Sequence, residues 1–297
     1  MIDFSHWKEY DGASEGSGRS EKIWLIEPDT RKVGLFKYKK DINTTDHISE
    51  CIAYQLACLL NIECAKFELG TYKTREGSMS YNVIENPNQS LIEGINYIIL
   101  KYPTYDVNIL KDLATGKIYS LEMIQECLPA TIPFKDFLKI PLFDYLIGNT
   151  DRHQNNWAFI MEDGTLRLSP LYDNSSSLCA YMNDHDLNAC LGNDKLKWKS
   201  VVETKSRSII RKTSNDTQKP THLEVLRYLH DNYYSETIEL AEKIAVSITA
   251  DTIDKILSTF PNKQLSITKK TVIKRFLLSK VEKLNEVYIL GGNPHGC

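Results

Sequence analysis

The sequence predicts an α+β chain in two unequal parts: a small antiparallel sheet with one helix over residues 1 to about 100, then a mostly helical remainder. Three observations predict it. Short strand-like runs separated by turn residues fill the stretch before residue 46. A three- and four-residue apolar spacing then marks one helix, and strand signals return after it. Beyond residue 120 the patterns are helical, interrupted by one short strand pair.

Residues 12–20 are rich in Gly and Ser. Strands are expected at 22–27 and 32–40, joined by a turn at Glu27-Pro28-Asp29-Thr30. Ile48, Ile52, Leu56, Leu59 and Leu60 define a helix over 46–61, with Asp46 as its expected N-cap and Glu50 in its first turns. Further strands are expected at 66–72, 79–84 and 97–100. Helices are expected at 121–127 and 134–147, and then a hairpin, 157–161 with 166–169, around Asp163-Gly164. Residues 191–221 are polar and rich in Lys and Arg, which reads as a surface loop. Amphipathic helices are expected at 223–233, 235–248, 251–260 and 268–290, ahead of a frayed tail from Gly291.

Composition narrows the function classes. Hydrophobic residues make up 42% of the chain and charged residues 25%, ordinary values for a globular protein. The net charge of -3 gives no overall case for nucleic acid or an anionic membrane. No apolar run approaches the roughly 20 residues that span a bilayer. The opening Met1-Ile2-Asp3-Phe4-Ser5-His6-Trp7 has neither a basic nor an apolar leader region. The seven cysteines form no C-x-x-C pair and show no metal-ligand spacing with the histidines, so reduced thiols in a cytoplasmic chain are expected. Cys51 and Cys58 fall in the apolar helix pattern and read as small core residues.

The strongest chemical signal is Gly148-Asn149-Thr150-Asp151-Arg152-His153-Gln154-Asn155-Asn156. Folding the chain at Asp163-Gly164 brings Asn156 near Leu171-Tyr172-Asp173. An amide oxygen and a carboxylate then lie side by side, with Asp151 just upstream. Magnesium takes such hard oxygen ligands together with nucleotide phosphates. A separate carboxylate must orient the attacking hydroxyl. Asp151 suits that role, and Asn156 and Asp173 suit the metal. The five-residue step from Asp151 to Asn156 matches the D-x-x-x-x-N of protein-kinase catalytic loops. Asp and Asn also cap turns, but that reading does not explain the third group, Asp173. A phosphate-binding cation is needed as well. Lys37 is the choice, with Lys39 on the same strand face as its competitor and Glu50 as its natural partner. Gly16, Ser17 and Gly18 can cover phosphates through backbone N–H groups, although the stretch is not a clean G-x-G-x-x-G.

The run from Leu146 to Trp157, followed by Leu168-Ser169-Pro170-Leu171-Tyr172-Asp173, resembles the HipA-like serine/threonine kinases. Ser49-Glu50, Ile52-Ala53, Leu56 and the stretch from Ala65 to Tyr72 resemble the first helix and following strand of that family. The likeness covers roughly residues 12 to 180. It implies a two-lobed protein-kinase-like fold, with an N-lobe over 1–100, a C-lobe over 101–297 and ATP with magnesium between them. It implies Asp151 as catalytic base, and Asn156 and Asp173 as metal ligands. Asn174 stands where the Asp-Phe-Gly motif of ordinary protein kinases has Gly, so the in/out switch of that motif is not implied. Autophosphorylation of a serine in the Gly-rich stretch is a family trait, and Ser14 and Ser17 are the candidates. The chain begins almost at that stretch, so it resembles compact members without the extra N-terminal subdomain of HipA. A partner that binds through that subdomain, such as a DNA-binding antitoxin, is not implied.

Two other functions compete with a protein substrate. Asp151-Arg152-His153 with Asn156 is also the shape of the phosphoinositide 3-/4-kinase loop, and the basic residues between Lys195 and Lys219 can face a membrane. A pseudokinase that binds nucleotide without turnover is the other, although it commonly lacks one of the groups retained here. A nucleic-acid role is weaker still, because the basic stretch is not interleaved with aromatics. Adenine is expected near 91–103, on backbone around Glu93–Ile95 or Lys101-Tyr102.

Overall fold

The computed structural model describes residues 1–11, 21–41, 43–192 and 194–294. Alternating apolar residues place β3 (Lys22–Ile26) against β4 (Val33–Tyr38), and the turn between them closes with Glu27 N donating to Lys32 O at 2.8 Å. With β1 (Ile2–Asp3), β2 (Lys8–Glu9), β5 (Phe67–Tyr72) and β6 (Arg75–Tyr81) they form a six-stranded sheet in the order β1-β5-β6-β4-β3-β2. Only the β1–β5 pairing is parallel. Phe4, Trp7, Leu25, Phe36, Tyr72 and Met79 fill one face. Helix α1 (Asp46–Leu59) lies on the other and contacts β5 and β6.

The helix starts where the spacing predicts, but Thr45 is its cap residue and Asp46 is the first helical position. Cys58 is exposed rather than in the core, because Ile48, Ile52 and Leu56 turn the opposite side of α1 inward. The larger correction is at 97–100, which is helix, not strand. Helix α2 (Gly94–Lys101) has its first amides satisfied from outside, Gly94 N by Trp157 O at 2.9 Å and Ile95 N by Gln154 O at 3.0 Å. Donors at a helix start need such partners, and no local pattern announces these two. The strand is β7 (Gln89–Glu93), just before it.

β7 pairs with β10 (Ala158–Glu162), which pairs in turn with β11 (Thr165–Leu168). The expected hairpin is therefore stitched to the segment that leaves the first sheet. Gly164 adopts φ +79 at its tip. A short β8 (Tyr105–Asp106) and β9 (Lys111–Asp112) pair precedes α3 (Leu121–Cys127) and α4 (Phe134–Ile147). Helix α5 (Asp184–Leu191) follows the site loops.

Residues 191–221 are not a solvated loop. They contain α6 (Lys195–Lys199) and a π-helical turn, Ser200–Thr204, and they bury Ser206, Ser208, Ile210 and Ser214. Polar residues are buried here because each finds a partner: Ser206 with His222, and Ser214 with Ser120. The next two expected helices are one, α7 (His222–Ser247), kinked at Tyr233. Helices α8 (Ala250–Ser258) and α9 (Ile267–Leu284) complete the second part, and a π-helical turn, Asn285–Ile289, extends α9. No described helix is long and apolar enough to cross a membrane.

Candidate active site

The site is anchored by the end of α4. Gly148 takes φ 68 and ψ 39, and a Cβ there would come within 2.7 Å of Phe276, so the turn requires glycine. The loop that follows is organised by Arg152, which is only 1% exposed. Its guanidinium grips the buried Asp144 through Nε at 3.0 Å and a terminal nitrogen at 2.8 Å. It also donates to Asn156 O at 2.8 Å, Tyr172 O at 2.7 Å and Asn174 Oδ1 at 2.5 Å. Burial opposes the charge, but Asp144 outweighs it and holds Arg152 as a cation. One side chain therefore ties the loop before β10 to the segment after β11.

Asp151 is exposed on this loop. Its backbone is fixed: the N–H donates to Asn149 Oδ1 at 3.1 Å, and the carbonyl accepts from Asn156 Nδ2 at 2.7 Å. Partial desolvation pushes its carboxyl up, His153 pulls it down and Asp173 pushes it up, for a net rise. With Asn156 Nδ2 engaged, its amide oxygen is the end left for a ligand. Asp173 sits at φ 51, a left-handed conformation that Asp tolerates better than most residues.

Lys37 closes the site from above. Its ammonium lies 2.7 Å from Glu50 Oε1 and 3.3 Å from Asp173 Oδ1. Glu50 is fully buried and takes a second bond from Ser78 at 3.1 Å. Ser175 donates to Asp173 at 3.1 Å. Burial pushes Asp173 up, but Lys37 outweighs it and holds the carboxyl down at about 2. Burial likewise works against the Lys37 charge, and Asp173 and Glu50 together raise it. Lys37 rather than Lys39 meets Glu50: Lys37 lies within β4 and lines the cleft beside Leu35, whereas Lys39 lies beyond the end of the strand.

Lys37, Asn156 and Asp173 line one cleft of about 970 Å³, open to solvent, whereas Glu50 lies behind Lys37 and Asp151 is outside its lining. Sequence reasoning missed Lys22 and Trp24 on its roof. They stand opposite Lys37 and Leu35 in the β3–β4 register. The signal was present: period-two alternation puts Lys22 and Trp24 on the face of Leu35 and Lys37. Leu91 and Glu93 also line the cleft, whereas Lys101 and Tyr102 do not. Glu93 accepts from Asn155 Nδ2 at 2.6 Å. Trp157 is buried against Phe137 and Gly94 and does not line the cleft. Gly16, Ser17, Gly18 and Ser14 lie outside the described residues.

A family model described as the HipA-like C-terminal domain matches residues 14–223. The crystal structure of a Helicobacter pylori proinflammatory kinase, CtkA, superposes with a TM-score of 0.78 at 19% identity, over 97% of this chain and 96% of that one. HipA of Shewanella oneidensis MR-1, solved with HipB and operator DNA, gives a TM-score of 0.58 at 14% identity, over 95% of this chain and 67% of that one. At these identities the likeness shows the fold, a kinase-like arrangement of curled sheet and helical lobe. No curated protein matches the chain.

Proposed function

We propose a function from one established premise: the chain belongs to the HipA-like C-terminal domain family. It is a kinase that moves the γ-phosphoryl group of ATP, with magnesium, to a Ser or Thr hydroxyl of a protein, and it also phosphorylates itself. The observation that carries this reading is the Lys37–Glu50–Asp173 cluster, at 2.7 and 3.3 Å, on the wall of a cleft that also holds Asn156.

Asp173 and Asn156 offer the hard oxygen donors that magnesium prefers. Magnesium held there would neutralise charge on the phosphates of ATP, the phosphoryl donor. Lys37 and Lys22 hold phosphate oxygens, and Glu50 keeps Lys37 oriented. The Asp151 carboxylate accepts the hydrogen bond of the acceptor hydroxyl, aims its oxygen and takes its proton. Arg152 keeps Asp151, Asn156 and Asp173 in mutual register without touching substrate. A lipid acceptor remains the second reading, because the basic rim at Lys195, Lys199 and Lys205 is exposed. The retention of Lys37, Glu50, Asp151, Asn156 and Asp173 speaks against a nucleotide-binding pseudokinase. A cytoplasmic site of action is part of the same proposal.

The test is γ-labelled ATP with magnesium on wild type and Asp151→Asn. Label on wild-type protein alone supports the reading, with mass spectrometry at Ser14 and Ser17 locating it. Label on phosphoinositide vesicles and not on protein favours the lipid reading. Nucleotide binding with no transfer to either acceptor leaves a pseudokinase.

A further inference from the structure

The catalytic loop has a second cavity on its other side. His153, Asn155 and Asn156 face the nucleotide cleft. Gly148 and Thr150 instead line a separate cavity of about 800 Å³, open to solvent. Asp151 stands between these two stretches of chain. The facing wall is the segment that follows Asp173, from Ser176 to Met182. Lys197, Lys205, Ser206 and Phe276 close the remaining side.

Cations outnumber carboxylates in the described lining, Lys197 and Lys205 against Asp186. Lys197 is paired with Asp186, and both line the cavity. Lys205 is exposed at the rim. Behind the wall lie Lys269 and Lys280, 3% and 1% exposed. Lys269 donates to the carbonyl of Cys179. Lys280 donates to Val202 O at 2.9 Å and Ser206 Oγ at 3.0 Å, and lies over the rings of Tyr145 and Phe276 at 4.8 and 5.2 Å. Among the described residues neither has a carboxylate partner; Asp184 and Glu203 act on them only from a distance. Burial therefore pushes both down, Lys269 to about 8 and Lys280 to about 7. An ammonium buried among neutral acceptors is costly. An anion in the adjoining cavity offsets that cost.

The cavity is also wired to the catalytic loop. His222 Nε2 lies 2.8 Å from Asn149 O, and a carbonyl only accepts, so Nε2 carries the proton. Nδ1 then accepts from Ser206 Oγ at 2.9 Å, and Ser206 accepts from Lys280. The relay runs in one direction from Lys280 to Asn149, whose side chain holds the Asp151 amide.

We propose that this cavity is an anion site for the acceptor: it receives a carboxylate- or phosphate-bearing side chain of the protein whose Ser or Thr is presented to Asp151. The proposal rests on the phosphoryl-transfer reading and names its substrate class, an acidic segment. The rim lysines meet the charge, and the hydroxyl proton that the Ser176–Tyr181 pair leaves unused is available to it.

The first experiment reads binding, not turnover. Intact protein is saturated with magnesium-ADP, and inorganic phosphate, phosphoserine and glutamate are titrated by calorimetry. At least one should bind to wild type, about tenfold more weakly to Lys205→Met and Ser176→Ala, and undiminished to Lys37→Met. No binding by any of the three overturns the proposal, as does a signal kept in Lys205→Met and lost in Lys37→Met, which places the anion in the nucleotide cleft. The second experiment compares serine peptides with phosphoserine, Glu or Ala beside the acceptor. Faster transfer to the phosphoserine or the Glu peptide supports the site and says which anion it takes. Equal rates on the Ala peptide overturn it. Anion binding without any peptide label would fail the phosphoryl-transfer reading alone.

Discussion

Lys37 meets two carboxylates, Glu50 at 2.7 Å and Asp173 at 3.3 Å, whereas Lys280 meets a carbonyl at 2.9 Å and a hydroxyl at 3.0 Å. Both are largely buried, one at the proposed nucleotide cleft and one behind the second cavity. Carboxylates hold the first as a full cation; desolvation lowers the second to about 7. A matched cation is structurally complete before any ligand arrives, so its ligand has only to compete for it. An unmatched one leaves a local deficit of negative charge. Arg152 with Asp144 is a third case, matched and wholly buried, and it serves architecture rather than ligand.

That difference is broken most severely at Arg152. Arg152→Met leaves Asp144 buried without its cation and frees three acceptors at the loop. Removing one partner of a buried pair costs about 3–5 kcal/mol. Chemical denaturation should show a loss of that size, and Asp144→Leu added to Arg152→Met should recover much of it. A single variant as stable as wild type would mean the pair holds nothing. Lys37→Met comes next. It removes a preorganised cation, and kcat/KM for phosphoryl transfer should fall by about 10²–10³-fold, with Lys39→Met far milder. A larger loss in Lys39→Met would move the phosphate role to Lys39.

How much of this was legible depends on sequence distance. Asp151, Asn156 and Asp173 were readable because a loop and one hairpin bring them together, and Asp-Gly marks the hairpin. The Lys37–Glu50 contact was readable because a strand lysine and a carboxylate on the following helix were expected to pair, although the pairing spans 13 residues. Helix α2 was misread because Tyr97, Ile98 and Ile99 favour strands, while the decisive contacts come from Gln154 and Trp157. The relay was invisible. Lys280 reaches Ser206 across 74 residues and His222 reaches Asn149 across 73, and nothing local in a polar, basic stretch distinguishes a buried serine from a solvated one.

A smaller effect sharpens the nucleotide side. Lys22→Ala should raise KM for ATP by about tenfold, the worth of one charge-assisted hydrogen bond, and leave AMP affinity unmoved. A parallel loss for AMP would place Lys22 at the base rather than the phosphates.

The mildest change is at Lys280, and its sign differs. In the unfolded chain this lysine titrates near 10.5; in the folded protein, near 7. Between those values the unfolded chain holds a proton that the folded protein has lost. Stability should therefore rise with pH from about 7 toward 10, by up to about 1.4 kcal/mol per pH unit for one whole proton. Lys269 adds in the same direction above about 8. His222 does not contribute, because burial holds it neutral, down at about 3. Cys179, pushed up from 9.0 to about 11, works against the rise above about pH 9, because the unfolded thiol loses there a proton that the folded one keeps. Lys280→Met keeps the packing against Tyr145 and Phe276 and removes the charge, so at pH 7 its denaturation midpoint should equal or exceed that of wild type, with a shallower rise at higher pH. Bound phosphate should stabilise the wild type more than the variant, since the anion restores the Lys280 proton. A variant with the wild-type pH slope would show that Lys280 stays charged in the folded protein, and the contrast with Lys37 would then vanish.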